Sequence, residues 1–162
     1  MGLDVAHGLR ESALTSHSET MTISRPMEVK FAVVADFASV TSDGKLNILG
    51  LFDQINPQGL PFVLPLLYIV VVFDAGIAEA GSNKNLRTVL MDADGRQVFE
   101  NAMEFTLPPP LPGQTKIVVN QVLAVAGLRF EKPGAYQFSI LIGDDEKRSI
   151  GLTVNQPQEA TT

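Results

Sequence analysis

Glu28-Val29-Lys30-Phe31-Ala32-Val33-Val34-Ala35-Asp36-Phe37, then Ser42-Asp43-Gly44-Lys45, then Leu46-Asn47-Ile48-Leu49-Gly50 is the stretch whose reading decides the fold. Val29, Phe31, Val33, Ala35 and Phe37 alternate with Glu28, Lys30 and Asp36, a period of two that puts apolar side chains on one face of a strand. Asp43-Gly44 marks a hairpin turn, because both residue types tolerate positive φ. Leu46, Ile48, Gly50 and Phe52 resume the period on the return strand.

The same grammar extends outward from this hairpin. Pro57, Gly59, Pro61 and Pro65 punctuate a loop before a third strand, Leu66 to Asp74. A fourth strand, Leu86 to Met91, meets the turn Asp92-Ala93-Asp94-Gly95, and Gln97 to Leu107 follows as the fifth. Pro108 to Gly113 lacks the N–H groups a ladder requires and reads as a stiff extended crossing. A sixth strand covers Thr115 to Val125, a seventh Ala135 to Ile142, and an eighth, Arg148 to Val154, follows the turn Gly143-Asp144-Asp145-Glu146. The expectation is an all-β fold: an antiparallel two-sheet sandwich of about eight strands, immunoglobulin-like or C2-like, with a closed barrel as the alternative. Whether the strand order is Greek-key or up-and-down is left open by this pattern.

Phe130-Glu131-Lys132-Pro133-Gly134-Ala135-Tyr136-Gln137-Phe138 resembles the entry to a late strand of immunoglobulin-like folds. There a Tyr just past a tight corner bonds back to the chain, so Tyr136 is expected to close such a corner, with Phe138 where an antibody domain carries its Cys. The wider pattern is similar to a bacterial family of unknown function built of single small β-sandwich domains. Ala35 to Val40, Gly44 to Gly50, Asp92 to Gly95 and Pro133 to Phe138 carry that resemblance. It implies the sandwich fold and no assigned activity or catalytic residue.

The chain divides into a leader, 1–26, a domain, 27–155, and a tail, 156–162. The leader mixes charged and polar residues with scattered apolar ones, and Met27 is a natural start for the folded part. It holds no apolar run of signal-peptide length, so a cytoplasmic location is expected. The most apolar run, Leu64 to Phe73, is half the roughly twenty residues a membrane helix needs, and no transmembrane segment is expected.

Composition narrows the function. The chain has 162 residues, twelve Lys and Arg against eighteen Asp and Glu, and a net charge of −6. Nucleic acid is therefore not an expected partner, since phosphate must be met by concentrated positive charge. There is no Cys, and His7 and His17 both precede the domain, so no thiolate site, Ser-His-Asp triad or His-based metal site is available within it. Asp36, Asp53, Asp74, Glu100 and Glu104 are the carboxylates left for acid–base work. Glu100 and Glu104 share a strand face but stand about 13–14 Å apart along it, too far for paired-carboxylate hydrolysis. The Pro109-x-x-Pro112 spacing lacks a flanking basic residue and reads as a crossing rather than a peptide ligand. An enzyme is not expected, and no cofactor is required.

Two binding readings remain. Strict alternation of strand direction would gather Asp43, Asp74, Asp144, Asp145 and Glu146 at one loop end, a C2-like arrangement able to hold calcium or a small ligand through oxygen ligands alone. The third strand supplies the other reading. Leu66, Tyr68, Val70 and Val72 face one way and Leu67, Ile69, Val71 and Phe73 the other, and both sets are apolar. Something must cover the face left in water: the 53–65 or 76–83 connection, the leader, a second copy or a protein partner. Leu67, Ile69, Val71 and Phe73 are taken as the interface set, and a non-enzymatic module acting by protein–protein contact or homo-oligomerisation is the expected function.

Overall fold

The computed structural model describes residues 26–158. Among the described residues nine strands make two sheets: β1 (Glu28–Val40), β2 (Leu46–Leu51), β3 (Gln54–Ile55), β4 (Phe62–Gly76), β5 (Asn83–Met91), β6 (Gln97–Thr106), β7 (Lys116–Phe130), β8 (Gly134–Ile142) and β9 (Asp145–Val154). One sheet has the order β2-β1-β4-β7 and the other β3-β9-β8-β5-β6. All pairings are antiparallel except β3 with β9. The arrangement β1-β4-β7 over β9-β8-β5 is that of an immunoglobulin-like sandwich, in which successive strands cross between sheets. The Pro108 to Pro112 segment is one such crossing, leading from β6 in one sheet to β7 in the other. The expected leader lies outside the described residues apart from Pro26.

The turns form for the reasons their residues supply. Asp92 Oδ1 accepts from the backbone N–H groups of Asp94 and Arg96, closing the β5–β6 turn. Thr41 Oγ1 accepts from the Lys45 N–H at 2.9 Å in the β1–β2 turn. The Tyr136 hydroxyl donates to the Lys132 carbonyl at 2.8 Å, the expected corner, and its ring meets Phe130 edge-on.

The core lies between the sheets. Phe73, Phe130 and Phe138 are wholly buried, with Leu67, Ile69, Leu90, Ile140 and Leu152 around them. Met27 is also buried in it, which anchors the start of β1. β4 and β7 run further than their apolar alternation indicates, from Phe62 and to Phe130. Pro65 is accommodated inside β4 because β1 pairs with β4 only as far as Ala35–Tyr68, so at Pro65 the strand has β7 alone as a neighbour.

Beyond Ala35 the β1–β2 hairpin leaves the sheet and folds back over its outer face. Its tip is held there by Asn120 of β7, whose side-chain amide donates to the Gly44 carbonyl at 3.0 Å. Asn120 is level with Val72, while Ala35 is level with Tyr68, so the hairpin crosses β4 and doubles back along it. The turn in direction falls at Gly50, which has φ +69° and stands opposite Asp36. An isolated glycine in a strand marks this kind of close backbone approach.

Candidate functional site

The sequence points to β4, and the structure separates its two faces. Leu67, Ile69, Val71 and Phe73, the expected interface set, point into the inter-sheet core with at most 2% of their surface exposed. They are corrected here to core residues. The period alone could not choose between the faces, because both are covered. Val70 and Val72 on the outer face are also buried, at 0% and 4%, yet they stand outside the inter-sheet cluster. The β1–β2 hairpin lies over them, its tip on Asn120 and its Phe37 against Tyr68. The signal that could have found it is Gly50 in the middle of an apolar strand.

The hairpin covers part of the face and exposes apolar surface of its own. Leu66 and Val118, at the two ends of the covered region, remain 42% and 45% exposed. On the hairpin, Phe37 pairs with Leu49 and Ala35 with Leu51, so Phe37, Leu49 and Leu51 share one side. Leu49 and Leu51 are 69% and 64% exposed. Phe37 meets Tyr68 edge-on, with ring centroids 5.4 Å apart. β2 is also an edge strand, with backbone groups unpaired on one side. Beside it a shallow cleft opens between β1 and β9, lined by Ala32, Val34, Leu51, Phe52, Asp53 and Ile150. This apolar edge is the candidate site.

The acidic set does not converge. Asp74 pairs with Glu28 at the start of β1, whereas Asp43 lies in the turn beyond its end, carried back over the sheet face. Strict alternation fails because the two-residue strand β3 takes the chain to the other sheet and back, leaving β4 antiparallel to β1. Among the described residues no three carboxylates or histidines are grouped as metal ligands. Three of the five expected ligands face a lysine: Asp43 faces Lys45 at 2.6 Å, Asp74 faces Lys116 at 2.9 Å and Asp145 faces Lys147 at 3.5 Å. Hydrogen bonds from Lys45 and Thr41 hold the Asp43 carboxyl below the ordinary aspartate range. Asp144 is exposed in the β8–β9 turn.

The remaining carboxylates are equally dispersed. Glu100 accepts from Arg87 and from Gln97, both at 3.0 Å, on the outer edge strand β6. Glu79 is mostly buried and pairs with Lys84, with one carboxylate oxygen left without a hydrogen-bond partner. Together with Pro26, Met27, Asp145 and Lys147 the pair lines a second shallow hollow. That hollow offers both signs of charge and no histidine, and gives no nucleophile–base geometry.

A family model described as a family of unknown function, DUF6941, matches residues 30–155. No curated protein matches the sequence. Among solved structures, the chain is similar to an immunoglobulin-like protein from Pseudomonas aeruginosa, at 12% identity and a TM-score of 0.38, covering 82% of this chain and 99% of that one. It is also similar to part of the alkylpurine DNA glycosylase AlkC of Pseudomonas fluorescens, at 11% identity and a TM-score of 0.43, covering 80% of this chain and 30% of that one. A β-glucosidase from Listeria innocua aligns at 9% identity and a TM-score of 0.48, over 83% of this chain and 16% of that one. The chain thus spans a third or less of the glycosylase and glucosidase chains. Among the described residues no helix is long and apolar enough to cross a membrane.

Proposed function

The chain belongs to this family of unknown function, and we propose that it serves as a non-enzymatic β-sandwich module that works by protein–protein contact through the β1–β2 hairpin. The observation that carries the reading is the hairpin itself. One part of it buries Val70 and Val72, while Phe37, Leu49 and Leu51 remain together on an unpaired edge. Each fully buried side chain of this kind stabilises a complex by roughly 1.5–3 kcal/mol. A partner that covered the three together would gain a substantial apolar anchor.

The test compares the parent with a Leu49→Glu/Leu51→Glu double variant whose melting temperature is unchanged. Its readouts are solution mass and the set of chains that co-purify with the tagged protein from its own source. The reading expects the variant to lose mass, a co-purifying chain, or both. Identical mass and an identical set of co-purifying chains would refute it. A calcium-dependent rise in melting temperature, abolished by replacing Asp144 and Asp145, would favour ligand binding instead.

A further inference from the structure

We propose that the cleft at the splayed end of β3 and β9 is a binding site for a neutral saccharide. None of its described lining residues belongs to the β1–β2 hairpin, so it is a second site, independent of the contact reading above. The parallel pair sets Gln54 level with Thr153 and Ile55 with Val154, and the Asn155 N–H still donates to the Ile55 carbonyl at 2.9 Å. Beyond that bond Pro57 on one chain and Pro157 on the other have no N–H to give, so the ladder ends and the two chains part. The cleft between them has a volume of about 980 Å³, at the upper end of the roughly 300–1,000 Å³ of ligand sites. Asn56, Gln58, Asn155, Gln156 and Gln158 line it with primary amides, and among the described residues its lining carries no charge. Pro57, which is buried, and Pro157, which is half-buried, add ring carbons.

The amides at the mouth of the ladder are held in place. The Asn155 side-chain amide donates to Gln54 Oε1 at 3.2 Å and to Asn56 Oδ1 at 2.7 Å. Both donors of Asn155 are thereby engaged, which leaves its Oδ1 as an acceptor beside the Asn56 Nδ2 donor. A donor and an acceptor side by side match two adjacent hydroxyls, since each hydroxyl both gives and takes a hydrogen bond. Other ligand classes fit less well. A charged ligand would lose its hydration here with no opposite charge to replace it. A wholly apolar ligand would bury the amides unpaired. An extended peptide binds through a backbone ladder, which the two prolines have interrupted on these walls. A sugar presents hydroxyls along its rim and C–H groups on its ring faces, and the cleft answers them with amides and proline rings. The described lining has no aromatic ring to stack on a sugar, so the expected affinity is modest, about millimolar.

The full chain, labelled with nitrogen-15, is titrated separately with maltotriose, cellotriose, chitotriose and a blocked, uncharged Gly-Pro-Gly peptide. The readout is the side-chain amide NMR signals of Asn and Gln. At least one trisaccharide is expected to shift the Asn56 and Gln58 signals saturably, with a Kd of about a millimolar. Gln58→Ala should weaken that binding on the order of fivefold, the loss of one hydrogen bond, and Asn56→Ala should weaken it further. Gln58 is exposed and outside the Asn155 hydrogen bonds, so its variant keeps the test open should Asn56→Ala loosen β3. No saturable shift with any of the three sugars would overturn the inference, as would binding indifferent to Gln58→Ala in a folded protein. Shifts produced by the peptide and by none of the sugars would assign the cleft to peptide amides and overturn the saccharide reading.

Discussion

Gly50→Ala tests the fold-back of the hairpin, and Gly44→Ala supplies its internal control. Gly44 has φ +83° and nothing within 4 Å of where a Cβ would sit. Its replacement therefore costs only the left-handed backbone term, about 1–2 kcal/mol for an L-residue. Gly50 has nearly the same φ, +69°, but a Cβ there would stand 2.3 Å from Asp36 Oδ2, 2.9 Å from Cγ and 3.0 Å from Cβ. The carboxylate oxygen can rotate away, but the Asp36 Cβ is fixed to the backbone, so the two strands must part at the bend. Overpacking of this kind adds about 1–3 kcal/mol. Gly50→Ala should thus destabilise by about 2–5 kcal/mol in equilibrium urea unfolding, exceeding Gly44→Ala by at least 1 kcal/mol or so. Asp36→Gly in the Gly50→Ala background should recover the excess and leave the backbone term. Equal costs at the two glycines, or no coupling to Asp36, would refute the fold-back at this position.

Three further outcomes follow from the packing and charges. Val70→Ala, beneath the hairpin, should destabilise by about 1.5–3 kcal/mol, whereas Val118→Ala on the same face but 45% exposed should stay within about 0.5 kcal/mol in the same urea assay. Lys84→Met strands the mostly buried Glu79 carboxylate and should cost about 2–4 kcal/mol, while Lys84→Met/Glu79→Leu should recover most of it by thermal unfolding. Asp94 is held below the ordinary aspartate value of 3.8, chiefly by its hydrogen bond from Lys132. A depressed carboxyl stabilises the fold above its unfolded pKa and loses that contribution as pH falls through the folded one, so the effect fades below about pH 3.8. Carboxyl NMR titration should show Lys132→Ala raising the Asp94 midpoint and reducing that fading.

Local chemistry made most of the sandwich legible in the sequence. Asp43-Gly44 and Asp92-Ala93-Asp94-Gly95 turn where their side chains and φ preferences require, and Tyr136 closes its corner within four residues of its acceptor. What was not legible depends on contacts distant along the chain. Gln54–Ile55 is too short to show a period, yet its pairing with β9 reverses the direction of β4 relative to strict alternation. The two faces of β4 read alike because sheet and hairpin both cover it, so sequence could flag an extra covering without assigning Leu67 to the core and Val70 to the hairpin. The site edge was hidden for the same reason. Leu49 and Leu51 look like ordinary strand residues until the bend at Gly50 turns them outward.

The parallel pair β3–β9 gives the domain a direction of mechanical strength. Tension applied through the chain ends pulls β3 toward its N-terminus and β9 toward its C-terminus, along one axis and in opposite senses. The backbone bonds from Thr153 to Asp53 and from Asn155 to Ile55 are then loaded together in shear rather than opened one by one. The side-chain amide of Asn155, bonded to both Gln54 and Asn56, shares that load. Between this clasp and the first strand lies the folded-back hairpin, which forms a length of stored chain in series. The β3–β9 bonds therefore take the pull from the N-terminal side only after β1 has slipped from β4 and the hairpin has run out.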